Sequence, residues 1–119
     1  MIAINGRFLT QGMTGVQRFA TEIVAAADAL CAAGDWPAAR VLHPPGARDA
    51  GLRGFHAEVV GKRGGQAWEQ IDLPRALGGD FLINLGNTAP VFAGSRQAVV
   101  IHDAGAFDTP ESYSFAFRS

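Results

Sequence analysis

With one cysteine, Cys31, among 119 residues, the chain can form no internal disulfide. Cys31 lies in an alanine-rich, helix-periodic stretch and reads as a small buried apolar side chain, which fits a reducing cytosol. No stretch approaches the roughly 20 apolar residues of a membrane span, and the apolar run in MIAINGRFL is too short for a signal peptide. Secretion and membrane insertion are therefore unsupported, which leaves a cytoplasmic location, or a peripheral one at the inner face of a membrane through a partner surface. An excess of charge of one sign is also lacking. A net charge of −1, a pI of about 6.3 and scattered arginines create no basic field, so nucleic acid is not an expected partner. No internal repeat or low-complexity tract is present.

What remains is one domain's worth of chain, able to bury roughly two-thirds of its unfolded surface. The apolar runs are short and alternate with helix-length segments. Ile2 to Ile4 reads as a first strand that ends at Asn5-Gly6-Arg7. Thr14-Gly15-Val16-Gln17 fits a capping box that starts a helix. Its apolar face is Val16, Phe19, Ala20, Ile23, Val24, Ala27, Leu30 and Cys31, and Gly34 is its stop. Further strands are expected at Ala39 to His43, Phe55 to Val60, Phe81 to Asn84 and Ala98 to Ile101, with a surface loop reaching Gly54. A short helix over Gln66 to Ile71 should kink or restart near Leu73, because Pro74 has no N–H to donate and crowds the preceding turn. Pro110-Glu111-Ser112 suits the first turn of a final helix that the chain barely completes. The economical architecture is an α/β fold, a Rossmann-like parallel sheet with right-handed crossovers and helices on both faces.

Three features can carry chemistry, each with a plain structural alternative beside it. The glycine-containing turn from Gly6 through Gly15 can let backbone approach a phosphate at a helix amino terminus, though it lacks the G-x-G-x-x-G pattern and is equally a simple strand-to-helix turn. Arg18, on the first helical turn, is either part of that site or solvated. His102 and Asp103 stand at the carboxyl end of an apolar strand, where parallel α/β proteins place their chemistry. There the imidazole can act as acid, base or donor to a sugar or phosphate, and Asp103 can bind hydroxyls. A metal-dependent phosphohydrolase built on such a pair needs further His and Asp ligands on helices, and only His43 and His56 remain, so that reading is poor. Gly86-Asn87-Thr88 follows another strand and can hydrogen-bond a polyol or make an ordinary Asx-type turn. Trp68 and Glu69 invite sugar stacking and acid chemistry, but a tryptophan on a helix packed against a sheet belongs in the core, which places both behind the site.

Four blocks, INGRFLTQGMTGVQRFATEIV, GQAWEQIDLP, INLGNTAPV and VVIHDAGAFDTPESYS, in this order resemble the amino-terminal half of family 4 retaining glycosyltransferases, most closely the bacterial mannosyltransferase-like branch. The resemblance runs from Asn5 to the last residues. It implies a GT-B enzyme of two Rossmann-like domains, the acceptor bound mainly by the first and the nucleotide sugar by the second, with no metal or other cofactor. Within this chain it implies that Gly15 lies near the donor diphosphate and that His102 and Asp103 are at the cleft against the transferred sugar and acceptor, with Asn87 and Thr88 on the same rim. The implied reaction transfers a hexose, plausibly mannose from GDP-mannose, to a glycan or lipid-linked acceptor with retention. A front-face path is favoured, with His102 as a polar stabiliser.

Residues 1–119 correspond to the amino-terminal, acceptor-side domain alone, an incomplete first half of a GT-B fold. The donor domain with its paired glutamates has no counterpart in the sequence. By this reading the chain is inactive alone and needs a carboxyl-terminal domain in cis or in trans, and an unpaired sheet edge would favour self-association. The alternative is a non-catalytic Rossmann-like binding module or a subunit of a split transferase.

Overall fold

The computed structural model describes residues 1–86, 88–94, 96–102 and 113–117, the side chains of Phe92, His102 and 113–117 excepted. Six strands form one sheet: β1 (Ile2–Asn5), β2 (Ala39–His43), β3 (His56–Val59), β4 (Phe81–Asn84), β5 (Gln97–His102) and β6 (Tyr113–Phe117), in the spatial order β3-β2-β1-β4-β5-β6. The first five are mutually parallel, and β6 pairs antiparallel with β5. The α/β, Rossmann-like parallel sheet expected from the alternation of elements is therefore the observed fold. Residues 110–112, the expected first turn of a final helix, lie outside the described residues, and Tyr113–Phe117 is extended rather than helical. The aromatic residues at every second position of YSFAF suit a strand, a period of two that a helix cannot use.

Successive residues of a strand face opposite sides of a sheet, and here each side has its own core. Ile4, Val41 and Val100 face a cluster with Phe8, Leu9, Ala20, Val24, Phe55 and Leu85. Ala3, Leu42 and Leu82 face Trp68, Leu73 and Leu77. Helix α1 (Gly15–Ala32) covers the first side. It begins at the Thr14–Gln17 capping box, with Thr14 N–H donating to Gln17 Oε1 at 3.2 Å. It ends in a Schellman motif: Gly34, at φ +85°, donates to Cys31 O at 3.0 Å while Asp35 N–H donates to Leu30 O at 2.9 Å. Its buried stripe differs from the apolar pattern at three places. Ile23 and Leu30 are exposed and Asp28 is buried. Asp28 turns inward because its carboxylate accepts N–H bonds from Arg53, Gly54 and Phe55, which fasten the loop before β3 to the helix.

The second side is covered by a continuous helical segment in three parts, α2 (Gly65–Ala67), a π-helical turn over Trp68–Asp72, and α3 (Leu73–Ala76). The restart at Leu73 is the one that Pro74 demands. In the π turn Leu73 N–H reaches back to Trp68 O, one residue further than in an α-helix, just before the residue that cannot donate.

The Gly6–Gly15 turn is shaped by the sheet. Gly6 N–H donates to Leu42 O at 2.7 Å, and a Cβ on Gly6 would lie 2.5 Å from that same oxygen. Glycine is required there by the close approach of β2, a constraint independent of any bound phosphate.

Candidate functional site

Strand order reverses at β1: from it the chain moves outward through β2 to β3, then returns past β1 to β4 and β5. The crossover helices lie on opposite faces, so a crevice opens beyond the carboxyl ends of β1 and β4. Both strands end in Ile-Asn, IAIN and FLIN, and the two asparagines meet there. Asn5 Nδ2 donates to Asn84 Oδ1 at 2.8 Å and to Glu69 Oε2 at 2.9 Å. Thr88 Oγ1 donates to the same Glu69 oxygen at 3.0 Å, and Arg7 Nη1 approaches Glu69 Oε1 at 3.4 Å. Glu69 is 2% exposed and the Arg7 side chain 17%. A carboxylate so buried is tenable because both oxygens have donors and a guanidinium stands beside it.

The network continues under the rim. Asn84 Nδ2 donates to Gln97 Oε1 and Ala98 O, and Gln97 Nε2 donates to Pro90 O and Gly94 O. Gln70 holds the loop after β4 from the other side, donating to Ala89 O and accepting from Val91 N–H. Among the described residues every side-chain amide of this group is hydrogen-bonded, which makes the rim rigid and stakes its integrity on each member. One donor differs: Arg7 Nε is buried and has no acceptor among the described residues. Arg7, Asn5, Glu69, Thr88, Gln11 and Phe8 line, with Leu85 and Gly86, a cavity of about 10 Å³, the size of one water-sized group. The first turn of α1 borders it, since a Cβ on Gly86 would touch Val16 Cγ1 at 3.8 Å and Gln17 Nε2 holds Gln11 Oε1 at 3.1 Å.

Of the residues singled out from the sequence, Thr88 is part of this group. Gly15 is the first residue of α1, exposed, with open space where a side chain would be, and Arg18 is exposed one turn on. The backbone of His102 ends β5, paired with Tyr113. Asn87 and Asp103 lie outside the described residues. His43 and His56 are at opposite ends of the β2–β3 pair, and among the described residues no three His, Cys, Asp or Glu side chains gather as a metal site. Trp68 is in the core, its Nε1 donating to Val60 O at 2.8 Å. Glu69, its neighbour, is at the centre of the site rather than behind it. Trp68 and Glu69, consecutive at the start of the π turn, have two destinations, the core beneath the sheet and the crevice at its edge. Asn5 and Arg7 went unmarked in the sequence reading, and the repeated Ile-Asn strand ending was the signal available for Asn5.

Three aspartates outside the crevice hold its supports. Burial pushes the Asp28 carboxyl up, but the N–H groups of Phe55, Arg53 and Gly54 outweigh it and the net shift is downward. The N–H of Arg63 holds Asp72 below its ordinary value against the opposing effect of burial, with the Arg63 guanidinium and Lys62 N–H adding to it. For Asp80, burial is outweighed by Arg40 and the amino terminus. Groups with depressed folded values bind protons in the unfolded chain first, so stability rises with pH between the folded value and the roughly 3.9 of an unfolded aspartate. The urea midpoint is expected to be level above about pH 5 and to fall progressively below about pH 4. Asp28→Asn should make that fall shallower; a midpoint unchanged down to about pH 2.5 would contradict the assignment.

Among the described residues no helix is long and apolar enough to cross a membrane. Comparison with family models, with curated proteins and with solved structures returned no match.

Proposed function

We propose that this chain is the acceptor-side Rossmann-like domain of a retaining hexosyltransferase, which transfers a hexose, with mannose from GDP-mannose as the first donor to test, to a glycan or lipid-linked acceptor once a donor-binding domain is joined to it. One observation carries the reading. Three of the four sequence blocks that resemble family 4 glycosyltransferases are far apart in the chain, yet Asn5 and Arg7 of the first, Glu69 of the second and Asn84 and Thr88 of the third form a single hydrogen-bonded group at the strand-order reversal. The group sits at the crevice where open α/β sheets bind ligands. The fourth block enters on β5, which lies beside β4, runs parallel to it and ends at His102.

In this role the crevice binds the acceptor and the first turn of α1, with Gly15 and Arg18, faces the diphosphate of the donor held by the other domain. His102 stabilises the transferred sugar, and the leaving diphosphate takes the acceptor proton in a front-face displacement. In this reading the donor's nucleotide contacts belong to the other domain, so residues 1–119 transfer nothing without it.

The test mixes the chain with a matching carboxyl-terminal domain, GDP-mannose and a panel of glycan and lipid-linked acceptors, and follows transfer by mass spectrometry. Transfer in the mixture and in neither part alone is the expected result, with turnover reduced by His102→Ala. No transfer by a mixture whose donor domain is folded and loaded with nucleotide sugar would leave a binding module instead.

A further inference from the structure

We propose that Arg7 and Glu69 form a subsite for one neutral hydroxyl of a carbohydrate, the hydroxyl oxygen accepting from Arg7 Nε–H and its proton donated to Glu69 Oε1. The inference rests on reading the crevice as the acceptor side of a transferase, and it specifies what that side grips.

The two partners are close but poorly joined. Their only direct contact, Nη1 to Oε1, is 3.4 Å, longer than the 2.7–3.2 Å typical of an N–H···O bond, so the fork of the guanidinium is not engaged by the carboxylate in the usual bidentate way. Glu69 Oε2 already accepts from Asn5 and Thr88, whereas Oε1 has, among the described residues, this one long contact. Arg7 Nε, buried in the same lining, has no acceptor among the described residues. A buried donor left without a partner is unfavourable, and a folded chain keeps few of them. One group that both accepts and donates answers both deficits, and a hydroxyl is the smallest such group on a biological polymer. The cavity, about 10 Å³, admits a single group of that size.

Charge decides against the other ligand a guanidinium suggests. A phosphate oxygen would satisfy Nε but would stand beside the Glu69 carboxylate, an anion against an anion where little water screens them. Asn5 and Thr88 cannot relieve that, since both donate to Glu69 already. The crevice therefore selects a neutral polyol at this point, and any phosphate of donor or acceptor must lie elsewhere.

Arginine Nε–H resonances in ¹H–¹⁵N spectra of the intact chain report the contact directly. Methyl α-mannopyranoside is expected to shift the Arg7 Nε–H resonance and the amides of Asn5 and Gly86 saturably, while inorganic phosphate at equal ionic strength leaves Arg7 unmoved. Glu69→Gln, which takes away the charged acceptor, should weaken binding by about tenfold or more. Monodeoxy analogues make the test independent of that variant's folding: removing one particular hydroxyl should abolish the Arg7 shift in the unaltered chain. A shift by phosphate and not by the mannoside, equal binding of every deoxy analogue, or no saturable shift with any probe would each overturn the proposal. Sugar transfer by the paired domains with Arg7 unmoved overturns this subsite alone. A mannoside-dependent Arg7 shift with no transfer by any pairing keeps the subsite and removes the transferase.

Discussion

Trp68→Ala is expected to lower the unfolding free energy by about 4 kcal/mol, within the range for emptying a core tryptophan site. Trp68 is 0% exposed and packs with Ala3, Leu42 and Leu82 from three adjacent strands and with Leu73 and Leu77 from the helical segment itself. Truncation leaves a cavity that this cluster can close only partly, because its members are fixed by three strands in parallel register. It also deprives Val60 O of the indole donor. Trp68→Phe separates the two losses: most of the volume stays, the hydrogen bond goes, and the expected cost is about 1 kcal/mol plus the smaller ring's packing deficit. Urea unfolding followed by far-ultraviolet circular dichroism measures both. An alanine variant within about 1 kcal/mol of the parent would mean that the helical segment is not anchored through this side chain.

Glu69→Ala is expected to cost about 3 kcal/mol, at the low end for breaking a buried ion pair because Arg7 keeps some access to water. The loss comes from what remains. Asn5 Nδ2 keeps Asn84, but Thr88 Oγ1 and Arg7 Nη1 lose the acceptor that holds them to the crevice. Glu69→Gln keeps the shape and one acceptor oxygen while placing an amide donor toward either Arg7 or the Asn5–Thr88 pair, so a smaller loss of about 1–2 kcal/mol is expected. The pattern of local damage distinguishes this site from Trp68. Amide hydrogen exchange should accelerate around 85–91 in the Glu69 variants, since Thr88 is released there, and should accelerate along the whole 65–76 segment in Trp68→Ala. If Glu69→Ala exchanges like the parent at 85–91, the Thr88 contact does not hold that loop.

Together these two neighbours show how the π turn links stability to the proposed chemistry. An α-helical Trp68–Asp72 would turn by 100° per residue and would have to carry Pro74 without the wider turn that precedes it. The structure instead loosens the helix where Trp68 enters the core and Glu69 leaves it for the crevice. The buried carboxylate thus stands in the irregular turn that precedes Pro74.

Much of the architecture was legible because it depends on short-range patterns. The strands at Ala39–His43 and Phe81–Asn84 are apolar runs with clear breakers, the start of α1 is written in Thr14 and Gln17, and the restart at Leu73 follows from Pro74 having no N–H. Where local pattern misled, a distant partner had intervened. Asp28 lies on the buried stripe of α1 because the N–H groups of Arg53, Gly54 and Phe55 wait for it across the loop, while Ile23 and Leu30 are left exposed. The site was legible only in its outline. Sequence alone determined that this is a parallel α/β domain with polar residues at its strand ends. The tertiary structure decided that Glu69 stands at the centre, that Asn5 and Asn84 touch, and that Arg7 reaches the same carboxylate. Those contacts join residues 64 and 79 positions apart, and they exist because strand order reverses at β1, a relation between elements that no window of neighbouring residues contains.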